Sequence, residues 1–405
     1  MTLRTVILLA CCLGCDAGAL SNRPLVDHNG GHGGGPVDTG NAGTGAPGGD
    51  GGDASGGSNG GAGIGGSNGG AGTGGSNGAA GTGGSASTGS GGAGACAISC
   101  GAAACPVRDG QPRVLVTSPL NHQLMGLAVN ADTLFWGTYP NQTPGEIRSM
   151  PLAGGPSTLL VSNVIVSELY LDGSTLYYVT NDRTGNASLL AIPVTGGTSR
   201  MVATGSRIAW ITSDASGIYF AQGNQIVRAD PSGSGVAPVV SAAGTLWGFA
   251  VDETNVYWAS YSNGGALFRR ALAGGNTTTL RNSSAPITFP ITDGDDIVYM
   301  EGINTPGVCQ SAIWAIAKAG TGTPRLISPG TSGVDVQQPV RDGATLYWAS
   351  NSPHGALLRM VKDQTPEILA AEQVNITRPV LGPADLYWIA SGSGLTTYEV
   401  RTLPK

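Results

Sequence analysis

An aromatic pair recurs through this chain at an interval that few architectures can accommodate. Anchored on its second member, the series runs Trp136, Tyr178, Phe220, Trp258, Tyr299, Trp348 and Trp388, with steps of 42, 42, 38, 41, 49 and 40 residues. The unit is clearest at 251–280, VDETNVYWASYSNGGALFRRALAGGNTTTL. It runs from an acidic turn residue through an aliphatic, the aromatic pair, a Gly/Asn-rich turn and a second apolar run to Gly-Gly and a short β-branched stretch. That is four short strands per unit. The aromatic strand itself is nearly continuous in apolar residues, as in Leu134-Phe135-Trp136 or Val256-Tyr257-Trp258, so it is expected to be covered on both faces.

Seven four-stranded units with a period near 40 to 45 predict an all-β, seven-bladed β-propeller over residues 112–405. The residue that opens each unit is Asn130, Asp172, Asp214, Asp252, Asp293 or Asp342, and Gly382 in the seventh. A short carboxylate or amide suits a tight hairpin there, because it bonds the backbone two residues on. The seventh unit ends without its fourth strand. Residues 112–118, PRVLVTS, match the fourth strand of the other units and are expected to supply it, lying beside Tyr398 to Leu403 and leaving no open blade edge between start and finish.

The order aliphatic-Tyr-Trp, then aliphatic-x-Arg as in Leu267-Phe268-Arg269 and Leu357-Leu358-Arg359, then Leu-Ala-Gly-Gly, resembles the YWTD-type and TolB-like β-propellers over essentially all of 112–405. The resemblance implies a fold more than a ligand, since YWTD-type propellers mostly bind proteins and TolB-like ones serve many roles. Two departures stand out. The closing Asp of YWTD is missing (Trp258-Ala259-Ser260, Trp348-Ala349-Ser350), and the units number seven where YWTD propellers usually have six.

Upstream of the repeats the composition changes twice. Residues 1–15 read as an export signal, with Arg4 as the positive end and an apolar stretch from Val6 to Ala10 plus Leu13, too short to anchor in a bilayer by itself. Leu8-Leu9-Ala10-Cys11 and Cys12-Leu13-Gly14-Cys15 both resemble the lipobox of bacterial lipoproteins, which makes Cys15 or Cys11 the lipidation site. The alternative is a plain signal peptide. Residues 16–95 collapse to Gly, Ser, Asn, Ala and Thr, with GGSNGGAG[IT] at 56–64 and 65–73 and GGSNGAAGT at 74–82. No core can form from such residues, so this stretch is expected to be a disordered tether. Seventy-odd residues of this kind have an r.m.s. span of roughly 45 to 50 Å.

Residues 96–111 form a cysteine-containing segment before the propeller. Cys96, Cys100, Cys105 and Cys309 remain outside the signal, an even number in a chain read as exported, which fits two disulfides of undetermined pairing. C-x3-C-x4-C has no downstream His/Cys pair, so no metal site is expected, and no cofactor motif occurs.

Propeller ligands gather at the axial mouth. Counting four residues back from each turn gives Gly126, Glu168, Trp210, Gly248, Phe289, Gln338 and Arg378; five back adds Met125, Trp247 and Gln337. These positions are expected in the loops that enter each innermost strand. Ligand-binding candidates are therefore Glu168, Trp210, Trp247, Phe289, Gln338 and Arg378, with aromatic faces suited to a sugar, a peptide turn or another amphipathic ligand. The same rings would equally serve as a plug of the axis. The 301–311 loop, an insertion carrying Glu301 and Cys309, is a second recognition candidate.

The catalytic repertoire is thin. The ring carries two histidines, His122 and His354, and the alternative enzyme reading, a hydrolase or lyase at the mouth, rests on His122, Glu168 and Arg378 converging. A net charge of −6 with only three lysines, Lys318, Lys362 and Lys405, argues against nucleic acid. The sequence thus describes an exported, monomeric, non-catalytic binding module of the cell envelope. It would touch the membrane through a lipid anchor alone and take an envelope protein, a peptide or a glycan as partner. A structural envelope spacer is the third reading.

Overall fold

A computed structural model describes residues 107, 108, 110–140, 144–182, 186–230, 235–262, 264–302, 311–328, 335–351, 355–362 and 364–405. The expectations for the signal, the Gly-rich stretch, Cys11, Cys15, Cys96, Cys100, Cys105, Cys309 and His354 fall outside them. The described residues build seven antiparallel sheets, each following chain order from inside to outside. Six are complete within one unit. The seventh takes Arg113–Pro119 as its outer strand, antiparallel to Thr397–Pro404, with Val116 opposite Val400 and Ser118 opposite Tyr398. The strand before the first unit therefore closes the last sheet, as its sequence predicts.

Seven apolar clusters join the sheets, one per seam. Ala128, Phe135 and Ile147 of blade 1 meet Val166, Leu169 and Tyr178 of blade 2. The pattern continues through the seams of blades 2–3, 3–4, 4–5, 5–6 and 6–7. Tyr387, Ile389 and Val400 of blade 7 then meet Leu124, Leu134 and Trp136 of blade 1, which closes the circle. The second strand of each blade supplies both of its seams, because alternate side chains face opposite neighbours. Trp348 and Trp388 are 2% and 0% exposed. Truncating an aromatic so placed costs about 3 to 5 kcal/mol.

On one face of the ring the inner hairpins take the expected form. Asn130 Oδ1 accepts the amides of Asp132 and Thr133 at 3.0 and 2.7 Å, and Asp252 Oδ1 those of Thr254 and Asn255 at 3.0 and 2.9 Å. Three of these acidic residues also reach the next blade. Asp252 pairs with Lys318 at 2.9 Å, Asp293 with Arg341 at 2.5 Å and Asp342 with Lys405 at 2.6 Å. Four groups outweigh the upward push of burial and hold Asp252 well below the usual carboxylate range: the Lys318 ammonium, the Thr254 and Asn255 amides, and the Tyr257 hydroxyl.

One feature was not legible in the repeat. Before entering blade 7 the chain runs parallel to the outer strand of blade 6, Glu367–Ala371. Val107 bridges Ile368 there, and the Arg108 and Gly110 amides donate to the Ile368 and Leu369 carbonyls, both at 2.9 Å. Gly110 has to be glycine: a Cβ would fall 2.7 Å from Leu403 Cδ1 and 2.9 Å from the Leu369 carbonyl oxygen. This strap covers an edge that would otherwise offer unpaired backbone groups.

Candidate functional site

The positions found by counting back from the turns lie within or beside the innermost strands, and this corrects their assignment to the loops entering them. Trp210 is inside Ile208–Asp214 and Phe289 inside Ile287–Asp293. What sets them apart is a bulge. Pairing to the second strand skips between Met125 and Leu127, Val166 and Glu168, Ala209 and Thr212, Leu246 and Phe249, and Thr288 and Ile291. In blade 6 the inner strand breaks at the same level, into Asp335–Val336 and Val340–Asp342, and in blade 7 only Val380–Leu381 pairs. A bulge bends its strand and re-aims a side chain, so seven bulges or breaks at one level make a ring of side chains about the axis.

Two of the seven members are glycine, and each lets its flanking blades interact. In blade 4 it is Gly248, at φ 109°, where a Cβ would sit 3.1 Å from Phe289 Cα. Trp210 of blade 3 and Phe289 of blade 5 meet edge to face beside it, centroids 6.5 Å apart at 73°. In blade 1 it is Gly126, at φ 64°, where a Cβ would be 2.9 Å from Leu169 Cγ. The charges of Glu168 in blade 2 and Arg378 in blade 7 interact across that gap without forming an ion pair.

The ring is thus divided into an aromatic arc over blades 3 to 5 and a polar arc from blade 6 round to blade 2. In the polar arc Arg378 Nη1 donates to Gln338 Oε1 at 2.8 Å. Glu168 turns toward the aromatic arc instead. Its carboxylate accepts the Trp210 amide at 2.8 Å and the Ile211 amide at 3.1 Å. These bonds hold a strained bulge, because Trp210 adopts φ 56°, a left-handed conformation that costs a side-chain-bearing residue roughly 1 to 2 kcal/mol. Glu168 touches the axial space yet is crowded by protein. Burial pushes its carboxyl above the usual range, against the opposing pull of Arg378 and the two amides.

Trp210 and Phe289 are half-buried, with their backs in the seams of blades 3–4 and 5–6. Trp247 packs against the seam of blades 4–5. Glu301, assigned from sequence to the inserted loop, instead ends the second strand of blade 5, Asp296–Gly302, and is committed to Arg281 through two bonds of 2.9 and 3.2 Å. His122 is not brought to Glu168. It lines a separate cleft of about 440 Å³ between blades 7 and 1, with Thr117, Trp136, Glu146 and Arg148. There Arg148 pairs with Glu146 at 2.7 Å and donates to Ser157 at 3.0 Å. Among the described residues no group of three or more His, Cys, Asp or Glu could hold a metal ion.

Fold and ring together define a seven-bladed β-propeller. No family model and no curated protein matches the chain. Among solved structures it is similar in fold to a puromycin-hydrolyzing peptidase of Mycobacterium tuberculosis at 12% identity and a TM-score of 0.56. That match covers 73% of this chain and 55% of the peptidase, so the chain spans about half of that protein. An oligogalacturonate lyase in complex with manganese matches at 12% identity and 0.50, over 73% of this chain and 98% of the lyase. The computationally designed protein Ika8 matches at 13% and 0.50, over 69% of this chain and 84% of its own. Identities this low show the fold alone.

Proposed function

We propose that this chain is a non-catalytic binding propeller of the cell envelope, displayed on a Gly/Ser/Asn-rich tether, that takes an amphipathic ligand at the axial ring. The observation that carries this reading is the division of the ring, with half-buried Trp210 and Phe289 on one side and Gln338 and Arg378 on the other. A ring built only to fill the axis would gain nothing from a partly buried guanidinium, since desolvating such a group costs several kcal/mol unless it is paired. Residues 1–15 support export, with lipid attachment at Cys15 or Cys11, and the chain acts as a monomer whose partner is an envelope protein, a peptide or a glycan. The resemblance to YWTD-type and TolB-like propellers supports recognition over turnover. That His122 lines the cleft between blades 7 and 1 with Glu146 and Arg148 supports binding over a hydrolase or lyase built on His122, Glu168 and Arg378.

The test is a glycan and peptide array probed with the full chain and with Trp210→Ala and Phe289→Ala. Hits lost in both variants, with melting temperatures held within a few degrees, support the ring as the contact. Hits that survive both substitutions place the ligand elsewhere, and an array without hits on the native chain removes the reading.

A further inference from the structure

We infer that the polar arc of the axial ring is a binding site for a carboxylate carried on an apolar or ring-shaped body. The inference deepens the binding reading just proposed and rests on it.

The argument is an inventory of donors. A guanidinium has five N–H donors and no acceptor, and Arg378 spends one of them on Gln338. It is half-buried and makes no ion pair among the described residues. Several other arginines find acidic partners, Arg148 with Glu146, Arg281 with Glu301, Arg341 with Asp293 and Arg401 with Glu399, while Arg269 and Arg270 donate to the Lys318 and Val239 carbonyls. Arg378 differs from both groups in lying at the axial ring with a side-chain amide as its acceptor. Because Arg378 can only donate, the Gln338 atom facing it must be the carbonyl oxygen, which leaves the Gln338 NH2 without a partner among the described residues. The arc therefore offers N–H groups from two side chains. A planar carboxylate fits a guanidinium fork with two parallel bonds.

The neighbouring carboxylate is already engaged. Glu168 interacts with Arg378, but its oxygens are turned to the Trp210 and Ile211 amides, so it does not compete for the guanidinium. The body of the ligand would lie toward Trp210 and Phe289, whose edge-to-face pair presents apolar surface from the opposite arc.

The experiment is isothermal titration of the full chain at pH 7 with N-acetyl-phenylalanine and with N-acetyl-phenylalanine amide, which differ in the carboxylate alone. Glucuronate and inorganic phosphate are run alongside. The acid should bind at least tenfold more tightly than the amide, and Arg378→Gln should erase that difference. Gln338→Glu gives a second check: it places an acceptor against Arg378, satisfies the guanidinium internally, and should abolish acid binding while leaving the fold at least as stable. Preference for N-acetyl-phenylalanine assigns the body to an aromatic side chain and preference for glucuronate to an acidic sugar; either supports the site. Equal binding of acid and amide would overturn the carboxylate while leaving an amphipathic ring. Phosphate binding more tightly than both acids, or an acid preference that survives Arg378→Gln, would overturn it as well. Absence of binding by every probe overturns the carboxylate site, and the array hits then decide whether the ring binds at all.

Discussion

Within each blade the second strand and the innermost strand are neighbours, yet they obey different rules. The second strand is nearly the same object seven times, an aromatic pair between two seams in six blades and Val298-Tyr299 in blade 5, and every one is buried. The innermost strand is bulged or broken at one level in every blade, and the residue there varies from Gly126 and Gly248 to Glu168, Trp210, Phe289, Gln338 and Arg378. The first must satisfy two neighbours with close packing, which leaves little room for variety. The innermost strand also feeds both seams, as Leu127 and Ala128 do in blade 1, but at its bulge or break the residue is outside that close packing, so chemistry can be changed there with less disturbance of a seam.

The largest effect expected from this contrast is on stability. Trp348→Ala should lower the free energy of unfolding by about 3 to 5 kcal/mol, whereas Trp210→Gly should change it by no more than about 1 kcal/mol, because relief of the positive φ offsets lost packing. Urea denaturation of both variants checks this. Equal losses would mean that the ring is as much a part of the core as the seams.

A smaller effect belongs to the hairpin face. Asp252→Asn keeps the turn and removes the charge that Lys318 meets, at a cost of about 1 kcal/mol at pH 7. The sign with pH follows from the depressed carboxyl. Its contribution is present above the unfolded value near ~3.9 and is lost as pH falls through the lower folded value, so the gap between native and variant should close in acid. Urea midpoints of the pair at pH 7 and pH 3 measure it.

Glu168 should behave in the opposite sense, with the smallest change. Its carboxyl is raised by burial, so its contribution is present below the unfolded value near ~4.3 and lost as pH rises through the folded value. The melting temperature of native protein relative to Glu168→Gln should therefore climb on acidification from pH 7 toward pH 4. A gap that stays flat over that range would mean the carboxyl titrates as it does in the unfolded chain.

The same contrast explains what could be read in advance. Spacing alone located Trp136, Trp258, Trp348 and Trp388, because a doubly covered strand leaves an apolar run that no loop would carry. It also placed Val114 to Ser118 in the last sheet, since a unit without a fourth strand needs one. Counting back from the turns found the ring residues but put them in loops. A bulge leaves no mark in composition, and the skip from Ala209 to Thr212 exists only in the pairing. Contacts that jump a blade were hidden for another reason. Trp210 and Phe289 are 79 positions apart, and what joins them is a glycine in the blade between, indistinguishable in this sequence from dozens of others. Trp247 was assigned to the mouth by its position, and its packing against the seam of blades 4 and 5 follows from a side-chain direction that counting does not give.

The strap at Val107 to Gly110 and the strand from Arg113 to Pro119 have a mechanical consequence. Six of the seven sheets are covalently continuous, whereas the seventh is held together by the hydrogen bonds between its first-made and last-made strands. Any pull transmitted through the residues that precede Val107 is met first by the strap's few bonds along blade 6, and then by the ladder opposite Thr397–Pro404. The ring would yield under load at this one joint, and the order of rupture runs from strap to ladder.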